Sequence, residues 1–220
     1  AHLLLVEGLA GIGKSTVLDA TADAMSGQGF RSVRVTLTAA ETSLSWAGLS
    51  NLCSQFGAVA HAALPSAQRA ALAGACDGGA PGEFEPMLTA AALGTLLASD
   101  IAAEGPLLLI IDDVHWLDQA TASALAFAIR RTANLALAVM VASRPERRPL
   151  EPDRLLAADR TLRIGLEGMS LAALQELLAS RFGVVHRRPD LIRLHEACGG
   201  NVMHAIEIGR MMSAGHSLDE

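Results

Sequence analysis

Two hydrophobic periods alternate along this chain. Leu3-Leu4-Leu5-Val6 is a short continuous apolar run, the pattern of a strand buried on both faces. A glycine-rich turn follows, and Ser15–Met25 then reads as a helix that Gly27 and Gly29 end. Ser32–Thr38 alternates Val33, Val35 and Leu37 and predicts a second strand. Leu44–Ala75 is alanine-rich and predicts helix with a break near Pro65; Asp77–Pro86 is a glycine- and proline-rich loop; Met87–Ala103 is helical. The third strand, Pro106–Asp112, is again continuously apolar until its end. A helix over Gln119–Thr132, a strand over Leu135–Ala142, a polar loop over Arg144–Pro152 and a strand over Thr161–Leu166 complete the alternation. Ser170–Phe182 starts at a serine cap, and Pro189–Cys198 and Val202–Ser213 flank the break Gly199-Gly200-Asn201.

Strands that alternate with helices imply an α/β fold, a parallel sheet with helices on both sides. The last three helices have no strands between them. The expected division is therefore an α/β core over residues 1–168 and the start of a helical subdomain over 169–220.

Composition narrows the function classes. The 220 residues are 51% hydrophobic, enough for a sizeable core, and the net charge of −6 lacks the basic excess of a module that binds nucleic acid by itself. No continuous apolar run approaches the ~20 residues of a membrane span, and Ala1–Glu7 has no basic region or cleavage site of a signal peptide. The expectation is a cytoplasmic protein without a membrane partner. Cys53, Cys76 and Cys198 are widely spaced and odd in number, so they make neither a disulfide framework nor a CxxC metal site and read as buried, inert thiols. Lys14 is the only lysine among 17 basic residues, and it sits where phosphate chemistry would want one.

Gly8-Leu9-Ala10-Gly11-Ile12-Gly13-Lys14-Ser15 fits the phosphate-loop pattern GxxxxGK[ST] between a strand and a helix. The glycines let backbone N–H groups converge on phosphate oxygens, and the helix N-terminus adds its dipole. Ile12 lies within that backbone cradle. Lys14 would reach the outer phosphates, the Ser15 hydroxyl would ligate Mg²⁺, and Thr16 could add a phosphate contact. Asp112 and Asp113 end the third strand, at the edge where open parallel sheets bind ligands. Asp112 is placed to hold Mg²⁺, and Asp113 to orient or deprotonate an attacking water. His115 would lie near the outer phosphate or a subunit contact, Trp116 is an anchoring apolar group, and Asp118 a helix cap. The histidines do not cluster as metal ligands would.

Gly8–Thr16, the stretch Ile110-Ile111-Asp112-Asp113-Val114-His115-Trp116-Leu117-Asp118, then Ser143-Arg144-Pro145 and Gly199-Gly200-Asn201 together resemble the ATPase domain of the large ATP-binding LuxR-type transcriptional regulators. These form part of the STAND branch of AAA-like signalling ATPases. The resemblance implies a P-loop NTPase three-layer sandwich with a five-stranded parallel sheet in the order 5-1-4-3-2 and a helical lid. It implies that Arg144 senses the γ-phosphate and that Asn201 belongs to a lid turn near the adenine, with Val202 standing where the family has proline. It further implies a segment upstream of the first strand, and helical-repeat and helix-turn-helix regions downstream that would carry any DNA contact. Nucleotide-dependent self-association is compatible with such modules. The chain then corresponds to a central domain.

The function these readings converge on is an Mg-ATP-binding switch that hydrolyses slowly. Three other readings share parts of the pattern. One is a nucleotide-binding scaffold without turnover, and another the same module serving a cyclase or kinase output. The third is a small P-loop kinase, for which Arg144, Arg147 and Arg148 are a faint sign of an arginine-rich lid.

Overall fold

The computed structural model describes residues 1–77, 85–145, 155–183 and 187–213. The chain divides into two compact units, one of Ala1–Glu7 and Ser15–Ile164, the other of Gly8–Lys14 and Gly165–Glu220. The first holds five strands: β1 (His2–Glu7), β2 (Arg31–Thr36), β3 (Leu107–Asp112), β4 (Leu137–Ser143) and β5 (Thr161–Gly165). They form one parallel sheet in the order β2-β3-β4-β1-β5, which is the expected topology. Its register is level: Ile111 pairs with Val35 on one side and Val141 on the other, and Val141 pairs with Leu5. Four strands therefore finish along one edge.

Side chains alternate across the sheet. Leu5, Val35, Leu109, Ile111 and Val141 fill the main core. Helices α2 (Ala47–Cys53), α5 (Pro86–Glu104) and α6 (Gln119–Arg131) contribute Leu49, Leu93, Leu97 and Leu125 to the same core. Leu109 is fully buried, and cutting such a side chain to alanine costs about 3 kcal/mol. Helix α1 (Lys14–Ser26) buries Leu18.

Some elements differ from the sequence expectation. β2 stops at Thr36, because Thr38 begins a 3₁₀ turn over Ala39–Glu41 whose Glu41 carboxylate accepts from the Thr38 N–H at 2.9 Å. In Leu44–Ala75 the break expected at Pro65 is present, and a further one at Gly57 makes three helices: α2, α3 (Ala58–Ala62) and α4 (Ser66–Cys76). Extended residues at Gly57 and Pro65 separate them. Helix α5 is 19 residues long and apolar enough to cross a membrane by length and composition, although no continuous apolar run has that length. Its buried face, including Leu93, Leu96 and Leu97, belongs to the core of this unit, the ordinary position of an inner helix. Asp100 on the same helix pairs with Arg31 of β2, and burial pushes its carboxyl above the usual range despite that cation. Parts of two expected loops, 78–84 and 146–152 with Arg147 and Arg148, lie outside the described residues.

Asp118 has a larger role than a simple cap. Its carboxylate accepts from the Thr121 N–H at 2.9 Å and so caps α6. The same carboxylate accepts from the N–H groups of Trp46 (3.0 Å) and Gly48 (3.3 Å) at the start of α2. Trp46 holds a left-handed φ of 68° there with its indole buried. One buried carboxylate thus satisfies orphan donors of two helices.

The second unit has its own small core. Helices α7 (Leu171–Phe182), α8 (Arg188–Cys198) and α9 (Val202–Ser213) bury Leu174, Leu178, Leu191, Leu194 and Ala205 together.

Asp118→Ala should destabilise the first unit by about 2–4 kcal/mol, since a helix cap is lost and two further buried N–H groups lose their acceptor. Asp118→Asn, which keeps an acceptor oxygen, should cost less than half of that. Denaturant midpoints of the two variants check the ordering.

Candidate nucleotide site

The phosphate loop runs from Gly8 to Lys14 and joins β1 to α1. Two of its glycines are required by the backbone. Gly13 sits at φ +109° and Gly11 at φ +73°, and a Cβ on Gly11 would lie 2.8 Å from Asn201 Oδ1 and from Met203 Cβ. Gly8 and Ile12 are buried, and the Ile12 N–H donates to the Leu9 carbonyl. Lys14 is buried too, its Nζ donating to the carbonyls of Gly8 (3.1 Å) and Leu9 (2.9 Å). The loop therefore carries its cation folded back over its own first residues.

Asn201 joins this loop to the turn before α9. Its Nδ2 donates to the Ala10 carbonyl at 2.7 Å. Its Oδ1 accepts from the N–H groups of Met203 (3.1 Å) and His204 (3.3 Å), which caps α9. The Met203 N–H also donates to the Gly11 carbonyl at 3.0 Å. Val202 takes the first position of α9, so the helix starts without the proline that the resemblance leads one to expect. Proline favours that position but is not needed where a side chain supplies the cap.

The other residues belong to the first unit. Ser15 and Thr16 are exposed in the first turn of α1. Asp112 ends β3 with its side chain 13% exposed, and one carboxylate oxygen accepts from the Asp113 N–H at 3.0 Å. Arg34 of β2, which sequence reasoning missed, lies 4.0 Å from the other oxygen of Asp112 and pairs with Asp19 of α1. Its signal was there: Val33 and Val35 are buried, so Arg34 must face the opposite side, and the register puts Ile110 and then Asp112 on that side. Asp19 is one helical turn after Ser15, on the same helix face. The chain of contacts from Asp19 through Arg34 to Asp112 brings the α1 face that carries Ser15 toward the end of β3.

Asp113 has a left-handed backbone (φ 50°, ψ 47°) and an exposed side chain, 3.6 Å from His115 Nδ1. Aspartate tolerates that conformation better than most residues, and strain of this kind collects at functional sites. His115 has only 1% of its side chain exposed and tilts against Trp116, with ring centroids 4.6 Å apart. Its side chain is thus not at the surface where a subunit contact would need it. Arg144 follows β4 directly, and its Nε is buried without a hydrogen-bond partner among the described residues.

Within the first unit, the Ser15 hydroxyl and the Asp112 carboxylate are hard oxygen ligands of the kind Mg²⁺ takes. Within the second, the glycine loop supplies backbone donors and Lys14 a charge, both of which suit phosphate oxygens. Among the described residues, no cluster of histidine, cysteine and carboxylate suits a softer metal.

The comparisons agree with this chemistry. Residues 1–141 match the AAA ATPase domain. No curated protein matches the sequence. Among solved structures, the chain is similar to a Signal Transduction ATPase with Numerous Domains (STAND) protein with a tetratricopeptide repeat sensor from Pyrococcus horikoshii. There the TM-score is 0.51 at 15% identity, over 91% of this chain and 26% of that one. It is similar to the Aeropyrum pernix Orc1 protein in complex with DNA, with TM-score 0.56 and 14% identity over 97% of this chain and 54% of that one. Drosophila ORC bound to DNA gives 0.53 and 14% over 96% of this chain and 55% of that one. The chain thus spans about a quarter to just over half of the length of these structures, and at such identities the likeness concerns the fold. On the strength of the match over residues 1–141 and of the strand order, the chain belongs to the AAA ATPase domain family.

Proposed function

We propose that this domain is an Mg-ATP-binding switch of a multidomain signalling protein, of the type of the ATP-binding LuxR regulators, with slow turnover. The observation that carries the reading is the pair of hydrogen bonds by which Asn201 and Met203 hold the carbonyls of Ala10 and Gly11. A nucleotide that reorients the phosphate loop must act on those bonds, and through them on α9. Such coupling needs different affinities of the two lid arrangements for ATP and ADP.

In this reading the backbone N–H groups of Gly11 to Lys14 hold the phosphates. Lys14 leaves the carbonyls of Gly8 and Leu9 to pair with the outer phosphate oxygens. Ser15 and Asp112 would hold Mg²⁺, which neutralises phosphate charge when bound. Arg34 keeps the Asp112 carboxylate oriented. Asp113 is the candidate to orient a water, with His115 Nδ1 3.6 Å from its carboxylate. Arg144 would report the terminal phosphate, and Thr16 would add a phosphate contact. In this reading the output region and any DNA contact belong to the whole protein, as the LuxR-type resemblance implies, and its setting is cytoplasmic.

Calorimetry with Mg-ATP and Mg-ADP tests the core of the proposal. Lys14→Ala should lose measurable binding of both while keeping its thermal midpoint; unchanged affinity would overturn the phosphate site. Asp113→Asn should bind ATP with near wild-type affinity and turn it over at least 10-fold more slowly, since asparagine accepts the same left-handed backbone. Equal turnover would remove Asp113 from the chemistry. Asn201→Ala should weaken binding by about 5- to 30-fold, as expected for the loss of buried hydrogen bonds worth about 1–2 kcal/mol. It should also speed amide exchange at Met203 and His204.

A further inference from the structure

Both oxygens of the Asp112 carboxylate face a neighbour. Oδ1 accepts from the Asp113 N–H at 3.0 Å, and Oδ2 lies 4.0 Å from Nη1 of Arg34. The first contact belongs to the backbone, and releasing it would move the left-handed segment at Asp113. The second belongs to a side chain that can swing. The backbone of Arg34 is itself held: on the open edge of β2, Gln55 donates to its carbonyl at 2.6 Å and accepts from its N–H at 3.2 Å. The guanidinium reaches two carboxylates. Nη1 faces Asp112, whose side chain is 13% exposed, and Nη2 pairs with Asp19 of α1, which is 59% exposed. Asp19 follows Ser15 by one helical turn. All of these residues lie in the first unit.

We propose, on the reading that Ser15 and Asp112 hold Mg²⁺, that Arg34 is the resident cation of Asp112 and yields to the metal by swinging to Asp19. Arginine keeps its charge at any working pH. Adjacent carboxylates such as Asp112 and Asp113 are unfavourable without a cation nearby, and Arg34 supplies one before a metal arrives. For Oδ2 to serve a metal, Arg34 must leave it, because two cations on one half-buried carboxylate repel each other with little screening. Asp19 receives the displaced charge, so the exchange needs only side-chain rotation about a backbone that Gln55 fixes. Arg34 is therefore a positioning residue that sets how much free Mg²⁺ the site requires, and Asp19 acts on the metal only through Arg34.

The test uses Mn²⁺ as the probe, titrated by electron paramagnetic resonance into the 220-residue chain with one equivalent of ADP, so that no turnover is involved. Arg34→Gln should bind Mn²⁺ about 5- to 20-fold more tightly than the unmutated chain, and Asp19→Asn about 3- to 10-fold more weakly. The double variant separates exchange from simple addition of charges. It should match Arg34→Gln within about 2-fold, since Asp19 has nothing to receive once the guanidinium is gone. Independent effects that multiply in the double variant would overturn the proposal, as would equal or weaker binding by Arg34→Gln. Circular dichroism verifies that the variants fold. Asp19 is exposed, so its substitution leaves the core intact, and unchanged affinity in Asp19→Asn would overturn the proposal by itself. Asp112→Asn reads the underlying site and should lose Mn²⁺ affinity at least 10-fold. If it does not, the metal site fails and the proposal with it; if it does while Arg34→Gln gains nothing, the proposal alone fails.

Discussion

A strand that is buried on both faces can hold no charge until it leaves the sheet, and this constraint organises the domain. β3 is apolar from Leu107 to Ile111, and its first carboxylate appears at the sheet edge, as Asp112. Because β2, β3, β4 and β1 are level in register, that edge is shared by four strand ends. Burying a charge one pair of residues earlier would cost several kcal/mol, so polar chemistry has only this edge and the segments just beyond it. Asp112, Asp113 and Arg144 all lie at such strand ends, and the phosphate loop begins where β1 stops.

Beyond the strand ends, two segments are held by hydrogen bonds to single side chains rather than by apolar packing alone. Asp118 collects three backbone donors from two helices, and Asn201 spends both ends of its amide on the phosphate loop and on α9. Such nodes are rigid while satisfied and costly to break. A switch needs elements with two arrangements, and a node with few bonds and little apolar area is easier to rearrange than a core. In the proposed function, the Asn201 turn is that element, while the Asp118 node keeps α2 and α6 fixed.

The electrostatics of the β3 end fit the same division. Asp112 has Arg34 beside it, and Asp113 has His115 behind it, so neither carboxylate of the adjacent pair stands without a positive or polar neighbour. Arg34 also holds Asp19, and a single guanidinium thereby relates α1 to the strand that carries the acidic residues.

The chain alone determined the elements whose signal is local. These are the apolar runs of β1 and β3, the phosphate loop, the acidic strand end, the serine cap before α7 and the break at Gly199-Gly200-Asn201. Each depends on residues close in sequence, where steric limits and periodicity act directly. The sheet order followed from the family resemblance carried by those motifs. Only the tertiary structure decided what depends on distant partners. The pairing of β2 with β3 turned Arg34 toward Asp112, and the carboxylate of Asp118 reached α2, 72 residues back, at the Trp46 N–H. The fold also gave the long apolar α5 a place in the core. In each case the residue type was visible, but its partner was chosen by packing across the fold, and spacing along the chain carries no record of that.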